Sequence, residues 1–249
     1  MSNLITITTD FGDQFALSQL ETVIYRTNPQ AKIITFSNSI EPQNISQGAY
    51  VIQESSKYAP ENSIHIGVID PGVGSPRKEI LITTNKGIFI GPDNGIFYPT
   101  ISRQKIISVY ELEKATINPD SSNTFHGRDI FAQTAALLST GTKPENLGRK
   151  IKPQQLVKLK FQSNQILFID DYGNLKINNN CCRFAYGQKI TLEIKNQKFT
   201  IPYLKTFTEI KKGALLAYQG SNHILEIAIN HGNAAKYLEA ELGQIVKIG

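Results

Sequence analysis

The sequence predicts an α/β fold: an N-terminal α/β domain with a mostly parallel sheet over residues 1–160, then a smaller C-terminal antiparallel β-barrel domain over residues 161–249. Two observations carry this. Strand and helix patterns alternate over residues 4–70, and beyond Lys160 the helical pattern gives way to short strands separated by turns. With 249 residues, 40% hydrophobic and 19% charged, the chain is long enough for one large core or two smaller ones, and the change of texture favours two.

Residues 4–9 alternate as a strand and end on Asp10-Phe11-Gly12. Phe15, Leu17, Leu20, Val23 and Ile24 fall at helical spacing over 14–25, and Asn28-Pro29 stops that helix. A strand at 32–36 and a helix at 44–58 follow, the helix carrying Ile45, Ala49, Ile52 and Tyr58 on its apolar side. Ile64, Ile66, Val68 and Ile69 form a short buried strand that ends on Asp70, where Pro71-Gly72-Val73-Gly74 breaks it. Residues 79–84 and 87–90 read as a hairpin around Asn85-Lys86, and the second strand runs into the acid of Gly91-Pro92-Asp93-Asn94-Gly95. After a strand at 105–110, His126 stands just ahead of an alanine-rich helix at 130–138, where outward-facing backbone N–H groups disfavour an imidazolium. In the second domain the candidate strands are 165–169, 189–194, 198–203, 214–219, 225–229 and 245–248. Two polar clusters interrupt them, Asp170-Asp171-Tyr172-Gly173-Asn174 and Asn230-His231-Gly232-Asn233-Ala234-Ala235, both compatible with plain turn chemistry.

Lys and Arg number 26 against 21 Asp and Glu, a net charge of +5. Lys143, Arg149, Lys150, Lys152, Lys158 and Lys160 supply that excess in one stretch broken by Pro144 and Pro153, which reads as a solvated linker rather than a nucleic-acid stripe. No nucleic-acid partner is expected. Cys181 and Cys182 are adjacent, too close for an ordinary disulfide. The first apolar run, 4–7, stops at Asp10, so neither a signal-peptide core nor a membrane span is expected, and the chain reads as cytoplasmic.

A parallel sheet gathers Asp10, Asp70, Asp93 and His126 along one edge. Carboxylates and imidazole suit Mg, Mn or Zn, the set of a metal phosphoesterase, although no HExxH motif, P-loop or GxGxxG fingerprint occurs. The same residues support a metal-free reading. Asp70, Arg77 and His126 surround one water, the carboxylate accepting its hydrogen bond while guanidinium and imidazole set the proton's affinity. Asp10 then accepts from the two hydroxyls of a ribose, and Tyr172, Asn174, Asn233 and Ala234 offer an aromatic face and amides to a purine.

Seven segments resemble one family: TDFG at 9–12, PQNI at 42–45, IDPGVGS at 69–75, PDNG at 92–95, FHGRDIFA at 125–132, YGN at 172–174 and LEIAIN with GNAA at 225–235. Together and in order they are similar to the S-adenosyl-L-methionine (SAM) hydroxide adenosyltransferases, SAM hydrolases related to the SAM-dependent fluorinase and chlorinase. The resemblance implies a homotrimer with sites at subunit interfaces, no metal and no cofactor. SAM is then the substrate, and attack of water or hydroxide on its 5′ carbon gives adenosine and L-methionine. It further implies that Asp70, Arg77 and His126 are the water-activating triad and that Asp10 holds the ribose. Phe125, Gly127, Asp170, Tyr172, Asn174, Ser221, Asn233 and Ala234 would contact substrate. Phe15, Asn38 and His223 depart from the family pattern without touching the triad.

The halogenating relatives carry uncharged residues where this chain has Asp70 and His126. A halide arrives already anionic and a carboxylate repels it, whereas water loses a proton as it attacks and needs an acceptor. The resemblance therefore implies hydrolysis, with a SAM-dependent halogenase or a non-catalytic SAM or adenosine sensor as alternatives.

Overall fold

The computed structural model describes residues 4–249, except for the side chain of Cys182. Among the described residues no helix is long and apolar enough to cross a membrane. They fall into two compact units, one ending at Lys160 and the other spanning Phe161–Gly249.

The first unit runs β1 (Leu4–Thr9), α1 (Gln14–Thr27), β2 (Lys32–Ser37), α2 (Ile45–Ser55), β3 (Ser63–Val68), β4 (Glu79–Thr84), β5 (Gly87–Pro92), α3 (Tyr98–Ile101), β6 (Ile106–Leu112) and α4 (Lys114–Ile117). A π-helical turn over Gly127–Ala132 then leads into α5 (Gln133–Ser139), and β7 (Gly148–Ile151) closes the unit. Asp13 caps α1 by accepting from Ala16 N at 2.8 Å, and Asn44 caps α2 by accepting from Gln47 N at 3.0 Å.

The seven strands lie in the order β2-β1-β3-β5-β4-β6-β7. Pairs β1–β2, β1–β3 and β3–β5 are parallel, whereas β4–β5, β4–β6 and β6–β7 are antiparallel. The sheet is therefore mixed, and the expectation of a mostly parallel one is corrected. The cause is the hairpin at Asn85-Lys86, which inserts β4 beyond β5 and turns the rest of the sheet antiparallel. Part of the basic stretch 143–160 is likewise not a linker: Gly148–Ile151 forms the edge strand, and Leu147 and Leu156 are buried.

Alternation along β3 sets the position of everything that follows. Ile64, Ile66 and Val68 join the core shared with Leu17, Leu20 and Ala135 of α1 and α5. His65 and Gly67 face the other way, toward α2 and α3. A Cβ on Gly67 would stand 2.8 Å from Ile52 Cδ1 and 2.9 Å from Phe97 Cε1, so only glycine lets these layers close.

The second unit comprises β8 (Ile166–Ile169), β9 (Leu175–Ile177), β10 (Lys189–Ile194), β11 (Gln197–Leu204), β12 (Leu215–Gln219), β13 (Leu225–Ile229), α6 (Ala234–Leu238) and β14 (Lys247–Ile248). Its sheet order is β14-β10-β11-β12-β13-β9-β8, antiparallel apart from the β11–β12 pair. Backbone bonds from Ile166 N to Gln244 O and from Val246 N to Asn164 O link its two ends into a partly closed barrel. The three-residue β9 and the single-turn α6 are too short to leave a periodic pattern in sequence. Cys181 is a buried free thiol, and the side chain of Cys182 lies outside the described residues.

Candidate active site

Asp70 lies two residues beyond Val68, on the side of the sheet that the π-helical turn covers. Pro71 ends the strand, and the chain turns back with Val73 N donating to Asp70 O and Ser75 N to Gly72 O. Gly74 takes φ +79° there, and a Cβ would stand 2.9 Å from the Asn123 carbonyl oxygen. Asn94 of the PDNG turn braces the strand end by donating from Nδ2 to Ile69 O at 2.8 Å.

That reversal returns Arg77 to Asp70. Its Nε donates to Oδ1 at 2.8 Å and its Nη2 to Oδ2, a bidentate clamp on a carboxylate whose side chain is 6% exposed. Arg77 Nη2 also stands 3.0 Å from Nδ1 of His126, which is 1% exposed at the start of the π-helical turn. Asp70, Arg77 and His126 thus meet.

Two residues that sequence reasoning missed complete the cluster. Glu79 Oε1 accepts from Arg77 Nη1 at 2.9 Å and from Lys114 Nζ at 2.9 Å, and lies 3.0 Å from His126 Nδ1. Nδ1 thus faces both a guanidinium that can only donate and a carboxylate that can only accept, while Nε2 faces Lys114 Nζ at 3.5 Å. Burial, with Lys114 and Arg77 adding to it, holds the imidazole below its ordinary range against the opposing pull of Glu79 and Asp70. That balance favours the neutral ring.

A cavity of about 280 Å³ opens beside this cluster, lined by Asp70 and His126 together with Asp10, Phe125 and Gly127. Asp10 Oδ2 accepts from Gln43 N at 2.8 Å, which orients the carboxylate. Phe125 meets Phe11 edge-on at 5.7 Å and carries the Arg128 guanidinium over its ring at 4.9 Å. Arg128 in turn pairs with Asp129, whose Oδ2 accepts from Ser122 N, so the GRD segment holds the loop around His126. Asp93 lies outside this cavity, with Oδ1 accepting from Val157 N at 2.9 Å. Among the described residues no three His, Cys, Asp or Glu side chains form a group suited to a metal ion.

In the second unit, Asp170, Tyr172 and Asn174 line a separate cavity of about 610 Å³ with Phe207 and Tyr218. Tyr172 is 78% exposed. Asp170 uses its carboxylate within the turn, Oδ1 accepting from Tyr172 N and Asn174 N and Oδ2 from Asn174 Nδ2. Asn233 caps α6 by accepting from Lys236 N, and Ala234 is fully buried at the start of that helix. Ser221 sits in an exposed turn, and neither it nor Asn233 nor Ala234 lines the cavity. Tyr218, absent from the sequence reading, donates to Glu226 Oε2, and burial and that carboxylate raise its phenol so that it stays protonated.

Residues 5–148 match the family model of the SAM hydroxide adenosyltransferase N-terminal domain, and residues 164–247 that of its C-terminal domain. The chain belongs to the SAM hydroxide adenosyltransferase family. A (R)-S-adenosyl-L-methionine hydrolase of Methanocaldococcus jannaschii is 32% identical, over 96% of this chain and 93% of its own. The crystal structure of an uncharacterized conserved protein from Thermotoga maritima superposes with a TM-score of 0.92 at 28% identity, covering 98% of this chain and 100% of that one. A fluorinase of Nocardia brasiliensis is a more distant relative within the same lineage, 21% identical over 99% of this chain and 97% of its own.

Proposed function

We propose that this protein hydrolyses SAM, with water displacing L-methionine from the 5′ carbon and leaving adenosine. The observation that carries this is a single cavity presenting Asp10 together with Asp70 and His126, while Arg77 clamps Asp70 from behind. A ribose held through its hydroxyls on Asp10 brings the 5′ carbon toward the Asp70 end. Asp70 accepts the hydrogen bond of the attacking water. Arg77 fixes its orientation, and neutral His126 keeps a further positive charge away from a substrate that is itself a cation. The oxygen–carbon bond forms as the carbon–sulfur bond breaks, its electron pair passing to sulfur and turning sulfonium into neutral thioether. The proton leaves through Asp70 to solvent.

Phe125 and Gly127 are read as walls of the nucleoside cavity. Tyr172 and Asn174, with Asp170 shaping their turn, are read as the adenine and methionine contacts, and Ser221, Asn233 and Ala234 as neighbours of that surface. The reaction takes no metal and no cofactor. The finer readings are a homotrimer with sites at subunit interfaces, supported by a cavity of about 280 Å³ that is small for all of SAM, and residence in the cytoplasm, supported by the cysteine usage.

Incubating the purified protein with SAM and separating the products tests the reading. Adenosine and L-methionine in equal amounts are expected, and bound SAM recovered intact would overturn it.

A further inference from the structure

Water attack as described above uses Asp70, Arg77 and His126 and gives Lys114 no role. Lys114 opens α4 and lies outside the lining of the cavity beside Asp70, its side chain 37% exposed. Its ammonium is nonetheless committed to the cluster. Nζ stands 2.9 Å from Glu79 Oε1 and 3.5 Å from His126 Nε2, so it meets the ring at the nitrogen that Arg77 does not.

The charges of the cluster cancel only with that ammonium in place. Asp70 and Glu79 bring two negative charges, Arg77 and Lys114 two positive ones, and these four act on the imidazole from β4, α4 and the turn after β3. Arg128 and Asp129, on the turn that carries His126, pair with each other and add nothing to the sum. Asp10 shares the cavity lining with His126, accepts from Gln43 N, and among the described residues forms no ion pair with the cluster. A proton on His126, itself 1% exposed, would therefore add an uncompensated positive charge where screening is weak. Without the ammonium the same proton would instead restore neutrality.

We propose that Lys114, seated against Glu79 and His126 Nε2, is the positioning residue that holds the imidazole uncharged for water attack on SAM. This rests on the reading of the site as a SAM hydrolase, in which a neutral ring spares the sulfonium a further cation. Lys114 acts through His126 and does not meet substrate.

NMR titration of the imidazoles in the ligand-free protein reads the charge of His126 and needs no turnover. The chain has four histidines, and the resonance lost in His126→Asn assigns this one. In Lys114→Met the His126 midpoint is expected to rise by about one pH unit or more, while Lys114→Arg, which keeps the charge, holds it near the native value. The acid limb of the pH–kcat profile for SAM should rise with it in Lys114→Met. A His126 midpoint that stays in place in Lys114→Met, one that rises equally in Lys114→Arg, or one that rises while the acid limb does not move would overturn the proposal. If the midpoint rises but the native protein forms no adenosine, it is SAM hydrolysis that fails, and the positioning role falls with it.

Discussion

His126 Nδ1 lies 3.0 Å from Glu79 Oε1, and that same oxygen takes Arg77 Nη1 and Lys114 Nζ, each at 2.9 Å. One carboxylate oxygen therefore joins the guanidinium that clamps Asp70 to the imidazole beside it. Because its charge opposes the effect of burial on His126, removing it pushes the ring still further from protonation. Glu79→Gln is expected to lower kcat about tenfold, less than the ~10²–10⁴ of a group in direct proton transfer, with KM for SAM nearly unchanged. The acid limb of the pH–kcat profile should move to lower pH. A profile that stays in place would reduce Glu79 to a packing role.

How far the site was legible in sequence follows from the kind of signal each residue leaves. Asp10, Asp70 and His126 stand at breaks in the pattern, where a strand or helix meets Gly or Pro, and such breaks can be seen without coordinates. Glu79 opens a strand and looks like any polar strand end. Its one clue was the i, i+2 spacing from Arg77, which puts both side chains on one face of an extended chain. Lys114 arrives from a four-residue helix that no periodicity announces. Parallel or antiparallel pairing was illegible for a related reason: a strand's own residues say that it is buried but not which way its neighbour runs.

His65 makes stability depend on pH. Buried between Phe36 and Phe89, its imidazole is lowered to about 4, whereas in the unfolded chain it takes a proton near pH 6.5. The unfolded state thus binds a proton that the folded state refuses. Stability is full above pH 6.5 and declines as pH falls toward 4, by up to about 3 kcal/mol at ~1.36 kcal/mol per pH unit. His126 acts in the same direction. Urea melts at pH 7.5 and pH 4.5 should show this loss in the native protein and a smaller one in His65→Gln, and equal losses would reject the assignment.

Tyr172 offers an exposed ring to the cavity of the second unit without structural work of its own side chain to do. Its substitution should therefore spare the fold and report on binding. Stacking of a base on an aromatic side chain contributes about 1–3 kcal/mol. Tyr172→Ala is expected to raise KM for SAM about tenfold while kcat and melting temperature hold. A fall in kcat at constant KM would place the ring at the reacting carbon instead.

In the proposed mechanism the choice between water and halide as nucleophile rests on Asp70. A chloride entering the cavity meets that carboxylate directly, and in a site this buried their repulsion is weakly screened. Water suffers no such penalty and gains an acceptor. Turnover of SAM in molar sodium chloride should still yield adenosine with no chlorinated nucleoside, and a chelator should leave the rate unchanged. Asp70→Asn keeps the shape but weakens the acceptor, so adenosine formation should fall by about 10²–10⁴ while adenosine itself still binds. If that variant turns over at the native rate, the water is activated elsewhere, and Arg77 and His126 are holding a carboxylate that takes no part in the reaction.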